Sequence, residues 1–273
     1  MKKGFIGYGS MGKMIINGLF ESKAICQDNI IISTRTLHKL NYLKQKYPKI
    51  EITSNKLTLA KKCSTIFIFV NTGEVKNILD EIKDYLIKDV HIVHICAGLP
   101  IKTMEHVFNG KISRIIPSLT SEVNEGISLM VHNDKVSEVE KNDLECLFNN
   151  ISQVKVISEE YIGMATDLTS CAPAFIAFML MQMSHIGAEK SGISTIDAEE
   201  MMIKTFYGTA KLLHEKEMGF EELIARVSTP GGITAEGIKS LENDLPPAFN
   251  NLFKMTSNKL ENLEKELDKQ YGV

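Results

Sequence analysis

A glycine pattern within the first dozen residues constrains this chain more than anything else in it. Gly7, Gly9 and Gly12 form G-x-G-x-x-G inside Gly4-Phe5-Ile6-Gly7-Tyr8-Gly9-Ser10-Met11-Gly12. Lys3–Ile6 reads as a short buried strand, and Met11, Met14, Ile15, Gly18 and Leu19 then recur at helical spacing towards Ser22. The glycines therefore fall between a strand and a helix, the context in which this pattern has a mechanism. Gly7 permits a tight turn, Gly9 lets backbone approach a pyrophosphate, and Gly12 lets helix and strand pack closely. The helix N-terminus faces the phosphates. Tyr8, Ser10 and Met11 complete this candidate dinucleotide-binding turn.

The rest of the first half repeats the strand–helix unit. Strands are expected at Asn29–Ser33, Thr65–Val70, Val90–Ile95, Arg114–Ile116, Ile127–Val131 and Val154–Ile157, and helices at Thr36–Tyr47, Glu74–Leu86 and Ser137–Asn149. Such alternation implies an α/β fold: a mainly parallel, doubly wound sheet of the Rossmann type with helices on both faces. After Ser158 no strand pattern returns. The expected division is a nucleotide-binding domain over residues 1–157 and an all-helical domain over 158–273.

The second strand ends in Ser33-Thr34-Arg35-Thr36. A chain preferring NAD carries an acidic residue here, about 20 residues past the glycines, to bind the ribose 2′-hydroxyl. None is present. Arg35 with Ser33, Thr34 and Thr36 suits a 2′-phosphate instead, which predicts NADPH as the cofactor, with NADH also admitted.

Bulk properties point away from other classes. Net charge is −3 and pI ≈ 6.2, which favours neither nucleic acid nor an anionic membrane as a partner. The five cysteines (Cys26, Cys63, Cys96, Cys146 and Cys171) are odd in number and form no C-x-x-C pair, so reduced thiols and a cytoplasmic setting are expected. The first apolar segment is the nucleotide-binding strand itself, so no secretory leader is expected. His91 and His94, three apart in a strand-like run, point to opposite faces and make poor metal ligands. No metal site is expected.

Glu160–Lys190 is the most apolar stretch, running through Ala174-Phe175-Ile176-Ala177-Phe178-Met179-Leu180-Met181. Asp167 and Pro173 on one side and Gln182, His185 and Glu189 on the other leave an uninterrupted apolar core short of the ~20 residues a membrane span needs. A helix apolar all round is a core helix, here expected to be buried between subunits. The last helix is expected over Ala248–Tyr271, amphipathic through Phe249, Leu252, Phe253, Leu260, Leu263 and Leu267. A helical half this apolar predicts a homodimer or an assembly of dimers.

Between two helical patterns lies Val227-Ser228-Thr229-Pro230-Gly231-Gly232-Ile233-Thr234. Gly231-Gly232 lets amides turn inward, Pro230 stiffens the entry and two threonine hydroxyls flank the pair. Exposed amides with hydroxyls suit a small carboxylate. The same residues also suit a helix C-cap followed by a turn.

Taken together, these motifs resemble the pyrroline-5-carboxylate reductase family over nearly the whole chain. The resemblance rests on Gly7-Tyr8-Gly9-Ser10-Met11-Gly12, Ala97-Gly98, Arg114-Ile115-Ile116-Pro117, Thr166 through Pro173-Ala174-Phe175, and Thr229-Pro230-Gly231-Gly232-Ile233-Thr234 with Gly237 and Leu241-Glu242. It implies a Rossmann domain followed by a helical domain that interlocks two subunits. It implies reduction of the cyclic imine 1-pyrroline-5-carboxylate to L-proline with NAD(P)H. It implies that Val70, Asn71, Ala97 and Gly98 line the cofactor site. The substrate carboxylate would be held by the amides of Gly231, Gly232 and Ile233 and the hydroxyl of Thr229, with Thr234 hydrogen-bonding the ring nitrogen. The imine takes its proton largely from solvent, so no dedicated general acid is expected.

Three motifs depart from the family pattern. Val70-Asn71-Thr72 stands for valine-lysine-proline, Ile116-Pro117-Ser118 for methionine-proline-asparagine, and Ser170-Cys171-Ala172-Pro173-Ala174-Phe175 for glycine-serine-glycine-proline-alanine-tyrosine. The last two are similar to a divergent branch associated with late competence in Gram-positive bacteria. The alternative is thus a reductase-like paralogue that binds NADP(H) but acts on another imine or through a partner. Cys171 reads either as a thiol activated by a helix N-terminus or as packing, and Asp167 either as an acid–base group or as a helix-dipole partner. A β-hydroxyacid dehydrogenase shares the glycine pattern but needs a lysine within the long helix, and here none occurs from Glu160 until Lys190.

Overall fold

The structure is a computed structural model and describes residues 2–273. Contacts divide the chain into two compact units, residues 1–171 with 256–273, and residues 172–255. In the first unit, chain order runs β1 (Lys2–Ile6), α1 (Ser10–Glu21), β2 (Ile30–Ser33), α2 (Asn41–Lys46), β3 (Glu51–Thr53), α3 (Leu57–Ala60), β4 (Cys63–Ile68), α4 (Val75–Ile82), β5 (His91–His94) and α5 (Ile101–Glu105). It continues through β6 (Lys111–Ile116), β7 (Gly126–His132), α6 (Glu138–Phe148), β8 (Ser152–Val156) and α7 (Ile162–Thr166).

The eight strands form one sheet in the order β3-β2-β1-β4-β5-β6-β7-β8. Every pairing is parallel except β6 with β7. The doubly wound α/β expectation is what the chain adopts. Because successive strand residues face opposite sides, the apolar strands feed two separate cores. Ile6, Ile31, Ile66 and Ile68 enter one; Phe5, Ile30, Ile32 and Phe67 enter the other. Phe5 stacks on Phe67 at 4.7 Å between ring centroids.

Local chemistry fixes several element ends. Ser137 and Glu140 form a reciprocal capping box at the start of α6. The helix expected over 36–47 is instead a 3₁₀ turn, Leu37–Leu40, followed by α2, and that over 74–86 is α4 flanked by 3₁₀ turns. β3, α3 and α5 were not anticipated.

The second unit is helical: α8 (Ala172–Ser191), α9 (Thr195–Glu215), α10 (Phe220–Val227) and the first part of α11 (Ile233–Tyr271). Ser194 caps α9 by accepting from the Asp197 amide at 3.1 Å. α8 packs along α9, where Ser184 Oγ donates to the Ala198 carbonyl at 3.4 Å. α11 starts well before the expected residue 248 and carries Pro246-Pro247 within it. Its last part belongs to the first unit, where Leu267 and Tyr271 are buried in one sheet-face core.

The helical run Glu159–Ser191, which includes a π-turn over Asp167–Cys171, is long and apolar enough, by length and composition, to cross a bilayer. Within the single chain most of α8 is uncovered, and the expected burial between subunits calls for a second copy to cover it. Only Ser184 and Ala188 are buried, while Phe178 is 59% and Met183 58% exposed.

Candidate active site

The G-x-G-x-x-G turn is built by sterics. Gly7 has φ +105°, and a Cβ there would lie 2.1 Å from the Phe69 carbonyl oxygen, a backbone atom that cannot step aside. A Cβ on Gly12 would lie 2.8 Å from the Gly7 oxygen. A Cβ built on Gly9 would meet no atom within 4 Å, so that side of its backbone is open to an incoming ligand. The Gly7 amide donates to the Ser33 carbonyl at 2.8 Å, tying the turn to the end of β2. α1 begins directly after Gly9, leaving its first amides without intrahelical acceptors and aimed at a negative group. The glycine cradle thus fits a dinucleotide pyrophosphate.

These groups open onto a cleft of ≈ 650 Å³ within the first unit. Gly7, Tyr8, Gly9, Ser10, Met11, Gly12, Ser33, Thr34, Arg35, Val70, Asn71 and Ala97 all line it. Tyr8 is buried and donates to Asn17 Oδ1 at 2.9 Å. Asn71, standing where the family has lysine, precedes a 3₁₀ turn and accepts from the Glu74 amide at 2.9 Å through its carbonyl. Cys96 also borders the cleft, but burial pushes its thiol up to about 11, so it is a packing thiol.

Gly98 is placed differently. It is absent from the cleft wall, and a Cβ on it would lie 2.2 Å from Leu263 Cδ2 of α11. Its missing side chain makes room for the last helix.

Beside Arg35 the cleft gathers charges that strand spacing did not reveal. Arg35 Nη1 lies 2.9 Å from Glu74 Oε1. Lys56 Nζ lies 2.6 Å from Glu81 Oε2. Lys39 joins these four in the wall. Lys56 was hidden because it follows β3, which has only three residues.

Behind the wall, Arg114 is fully buried. Its Nη1 donates to Glu159 Oε1 at 2.9 Å, and its Nη2 donates to the Ala97 carbonyl. Glu159 Oε1 also accepts from the Ile101 amide at 2.8 Å. The arginine of the R-x-x-P strand therefore holds the turn after β5 that lines the cleft. Its neighbour His94 is completely buried, with its ring pushed down to about 3 by desolvation and then by Arg114.

Two of the three altered motifs meet each other. Ser170 Oγ donates to the Pro117 carbonyl at 2.8 Å, and Ser118 Oγ donates to the Thr169 carbonyl at 3.2 Å. Cys171 sits inside a continuous helical run rather than at a helix start, and burial, then Asp167, raises its thiol pKa. The activated-thiol reading of Cys171 is therefore overturned. Asp167 is buried and accepts from Thr256 Oγ1 at 2.5 Å. Among the described residues no group of three or more His, Cys, Asp or Glu side chains converges on a point.

In the second unit, the Thr229–Thr234 loop joins α10 to α11. Gly231 has φ +74°, the left-handed conformation that glycine supplies. The Gly232 amide donates to the Thr229 carbonyl at 2.9 Å, so it closes a turn instead of pointing outward. A Cβ on Gly232 would lie 2.7 Å from Thr229 Oγ1. This glycine makes room for the threonine hydroxyl. Ile233 opens α11, so its amide has no intrahelical acceptor, and its side chain is 95% exposed.

Comparison with known proteins decides the family. Residues 159–263 match the family model described as pyrroline-5-carboxylate reductase dimerisation. Residues 2–98 match that described as NADP oxidoreductase, coenzyme F420-dependent. The chain is 36% identical to pyrroline-5-carboxylate reductase 3 of Bacillus subtilis (strain 168) over 268 residues, covering 98% of each. It belongs to the pyrroline-5-carboxylate reductase family. Another relative, ComE operon protein 4 of the same organism, is 30% identical over 100% of both chains. The solved pyrroline-5-carboxylate reductase of Coxiella burnetii matches with TM-score 0.84 and 26% identity, covering 97% of this chain and 98% of that one. The NADP-bound pyrroline carboxylate reductase of Plasmodium falciparum shares the fold, with TM-score 0.78 and 24% identity over 100% of this chain and 98% of that one. Membership in the reductase family accounts for both the glycine cradle and the late Thr-Pro-Gly-Gly-Ile-Thr loop, and it gives the helical half a dimerisation domain.

Proposed function

We propose that this chain is an NADPH-dependent reductase of a cyclic imine carboxylate, converting 1-pyrroline-5-carboxylate to L-proline in amino-acid biosynthesis. The observation that carries this reading is the identity of 36% over almost the entire chain to a pyrroline-5-carboxylate reductase, with the carboxylate loop intact. NADPH, when bound, would supply the hydride that the imine carbon takes. The chain's own residues bind and orient. The glycine turn and α1 take the pyrophosphate, Ser33, Thr34 and Arg35 the 2′-phosphate, and Val70, Asn71 and Ala97 the nicotinamide end. On the loop, the Gly231 and Ile233 amides and the Thr229 hydroxyl hold the substrate carboxylate, and Gly232 leaves space for that hydroxyl. Thr234 donates to the ring nitrogen.

We read the functional division as nucleotide binding over residues 1–157 and dimerisation with substrate capture over 158–273. The assembly is a homodimer or a larger set of dimers. The location is cytoplasmic, with neither nucleic acid nor membrane as a partner.

A second reading has its own observation. The full-length match to ComE operon protein 4, with Ser118 and Ser170-Cys171 in place of the family residues, favours a paralogue that binds NADP(H) and acts on another imine or through a partner. NADPH oxidation with pyrroline-5-carboxylate and with piperideine-6-carboxylate separates the two. Turnover with the five-membered ring, lost in Thr234→Ala while NADPH binding is kept, supports the first. NADPH binding without turnover on either substrate supports the second.

A further inference from the structure

We propose that Glu74 sets this chain's discrimination between NADPH and NADH by holding Arg35 until a 2′-phosphate displaces it. The inference rests on the dinucleotide reading of the cleft. β2 and β4 flank β1 in the sheet, so the segments that follow them rise on opposite sides of the glycine turn. Arg35 follows β2; Glu74 ends the 3₁₀ turn after β4; both line the cleft. Their side chains meet at 2.9 Å and so strap the two walls together.

The strap is weak by construction. Arg35 is 82% exposed and Glu74 36%. An exposed pair of this kind favours closure by no more than about fivefold. A 2′-phosphate, with close to two negative charges and three acceptor oxygens, outcompetes a carboxylate for a guanidinium. Once Arg35 has turned to the phosphate, Glu74 stands beside it as a like charge and opposes binding. A ribose lacking that phosphate meets the opposite situation. Its 2′-hydroxyl can donate to the Glu74 carboxylate, the role that an acidic residue after β2 fills in NAD-preferring chains. Glu74 thus supplies, from the far wall, the acid missing after Arg35. Lys56 is held in the same manner by Glu81 at 2.6 Å, whereas Lys39 makes no ion pair among the described residues and is free to meet the phosphate.

The test is titration of the full-length protein with NADPH and with NADH, followed by calorimetry or reduced-nicotinamide fluorescence. Glu74→Gln should tighten NADPH and leave NADH equal or weaker, raising the preference on the order of fivefold at low salt, with the gain shrinking as salt rises. Arg35→Gln should weaken NADPH and, by freeing Glu74 for the 2′-hydroxyl, leave NADH equal or tighter. An NADPH-to-NADH ratio unchanged or lowered in Glu74→Gln overturns the inference while the cofactor reading stands. Absence of binding of either dinucleotide to the unaltered protein overturns both.

Discussion

Arg114 and Glu159 meet at 2.9 Å with unequal access to water: the arginine is fully buried, whereas the glutamate side chain is 30% exposed. The inequality makes the two partners non-equivalent. Removing Glu159 takes from the buried guanidinium its only directly paired carboxylate among the described residues, leaving Glu264 as the more distant acidic neighbour, and strips the Ile101 amide of its acceptor. Removing Arg114 leaves a carboxylate that still reaches solvent. Glu159→Ala should therefore destabilise by about 3 kcal/mol, and Arg114→Met by about half of that. Urea unfolding of both variants checks the order; equal or reversed losses would show that burial of the arginine is not the dominant cost. Because Arg114 also holds the Ala97 carbonyl, Arg114→Met should weaken NADPH binding.

Gly7 and Gly98 face obstacles of different kinds, and alanine should distinguish them. At Gly7 the obstacle is backbone, the Phe69 carbonyl at 2.1 Å, with φ +105° adding strain. At Gly98 it is the tip of Leu263, at 2.2 Å, a flexible side chain. Gly98→Ala should cost about 1–3 kcal/mol as overpacking. Adding Leu263→Ala should recover part of that loss, because the second change opens the space the first one fills. Thermal unfolding of the two single variants and the double variant gives the coupling; a strictly additive result would mean that Gly98 is not constrained by Leu263. Gly7→Ala has no such partner to shorten and should abolish dinucleotide binding.

What the sequence revealed and what it hid follow one physical line. Runs such as Ile30-Ile31-Ile32 and Ile66-Phe67-Ile68 are buried on both faces and announce themselves by composition. Glu51-Ile52-Thr53 is a three-residue edge strand, only partly buried, and left no such mark. The start of α11 was hidden because Pro246-Pro247 reads as a helix break, although proline's φ is itself helical and the cost lies in the missing amide and a carbonyl clash. The contiguous glycine turn that lines the cleft was legible. Roles set by distant partners were not: Gly98 answers to Leu263, Arg35 to Glu74, and Ala97 to Arg114. The Gly232 amide was assigned to a ligand because spacing does not reveal its turn with Thr229.

Two buried histidines, His91 and His94, and a half-buried third, His132, should make the fold acid-sensitive. Burial pushes His91 and His132 down to about 4 and His94 to about 3. Ser113 bridges the first two, its Oγ 2.7 Å from His91 Nε2 and 2.6 Å from His132 Nδ1, so the serine donates to one ring and accepts from the other. The Cys96 amide donates to His94 Nδ1 at 3.4 Å, which occupies the site of protonation. All three pKa values are depressed in the folded chain, so the unfolded chain binds more protons below about pH 6.5. Stability should hold above that value and fall as pH drops towards 4. Glu140, lowered to about 2, adds loss in the same direction as pH falls through the ordinary carboxylate range and below it. Glu264, raised by burial, acts in the opposite sense. Urea midpoints at pH 7.5, 6 and 4.5 test this, and a flat profile between the first two would exclude the histidines as its source.

The exposed apolar face of α8 carries the last prediction. Phe178, Met183 and Ile186 are all exposed in the single chain, the last of them 48%. They lie within residues 159–263, which match the dimerisation model. A charge introduced there must be desolvated if a second subunit covers the face, whereas it costs nothing on a free surface. Phe178→Glu should weaken self-association by at least about thirtyfold, the size of a central interface anchor, while leaving the melting of the nucleotide-binding unit in place. Sedimentation velocity over a range of concentrations reads this directly. Vesicle flotation run beside it covers the other way of hiding such a helix. Dimers that dissociate on substitution, with the unaltered chain staying out of the lipid fraction, are the expected result. A monomer that floats with vesicles would assign α8 to the bilayer instead.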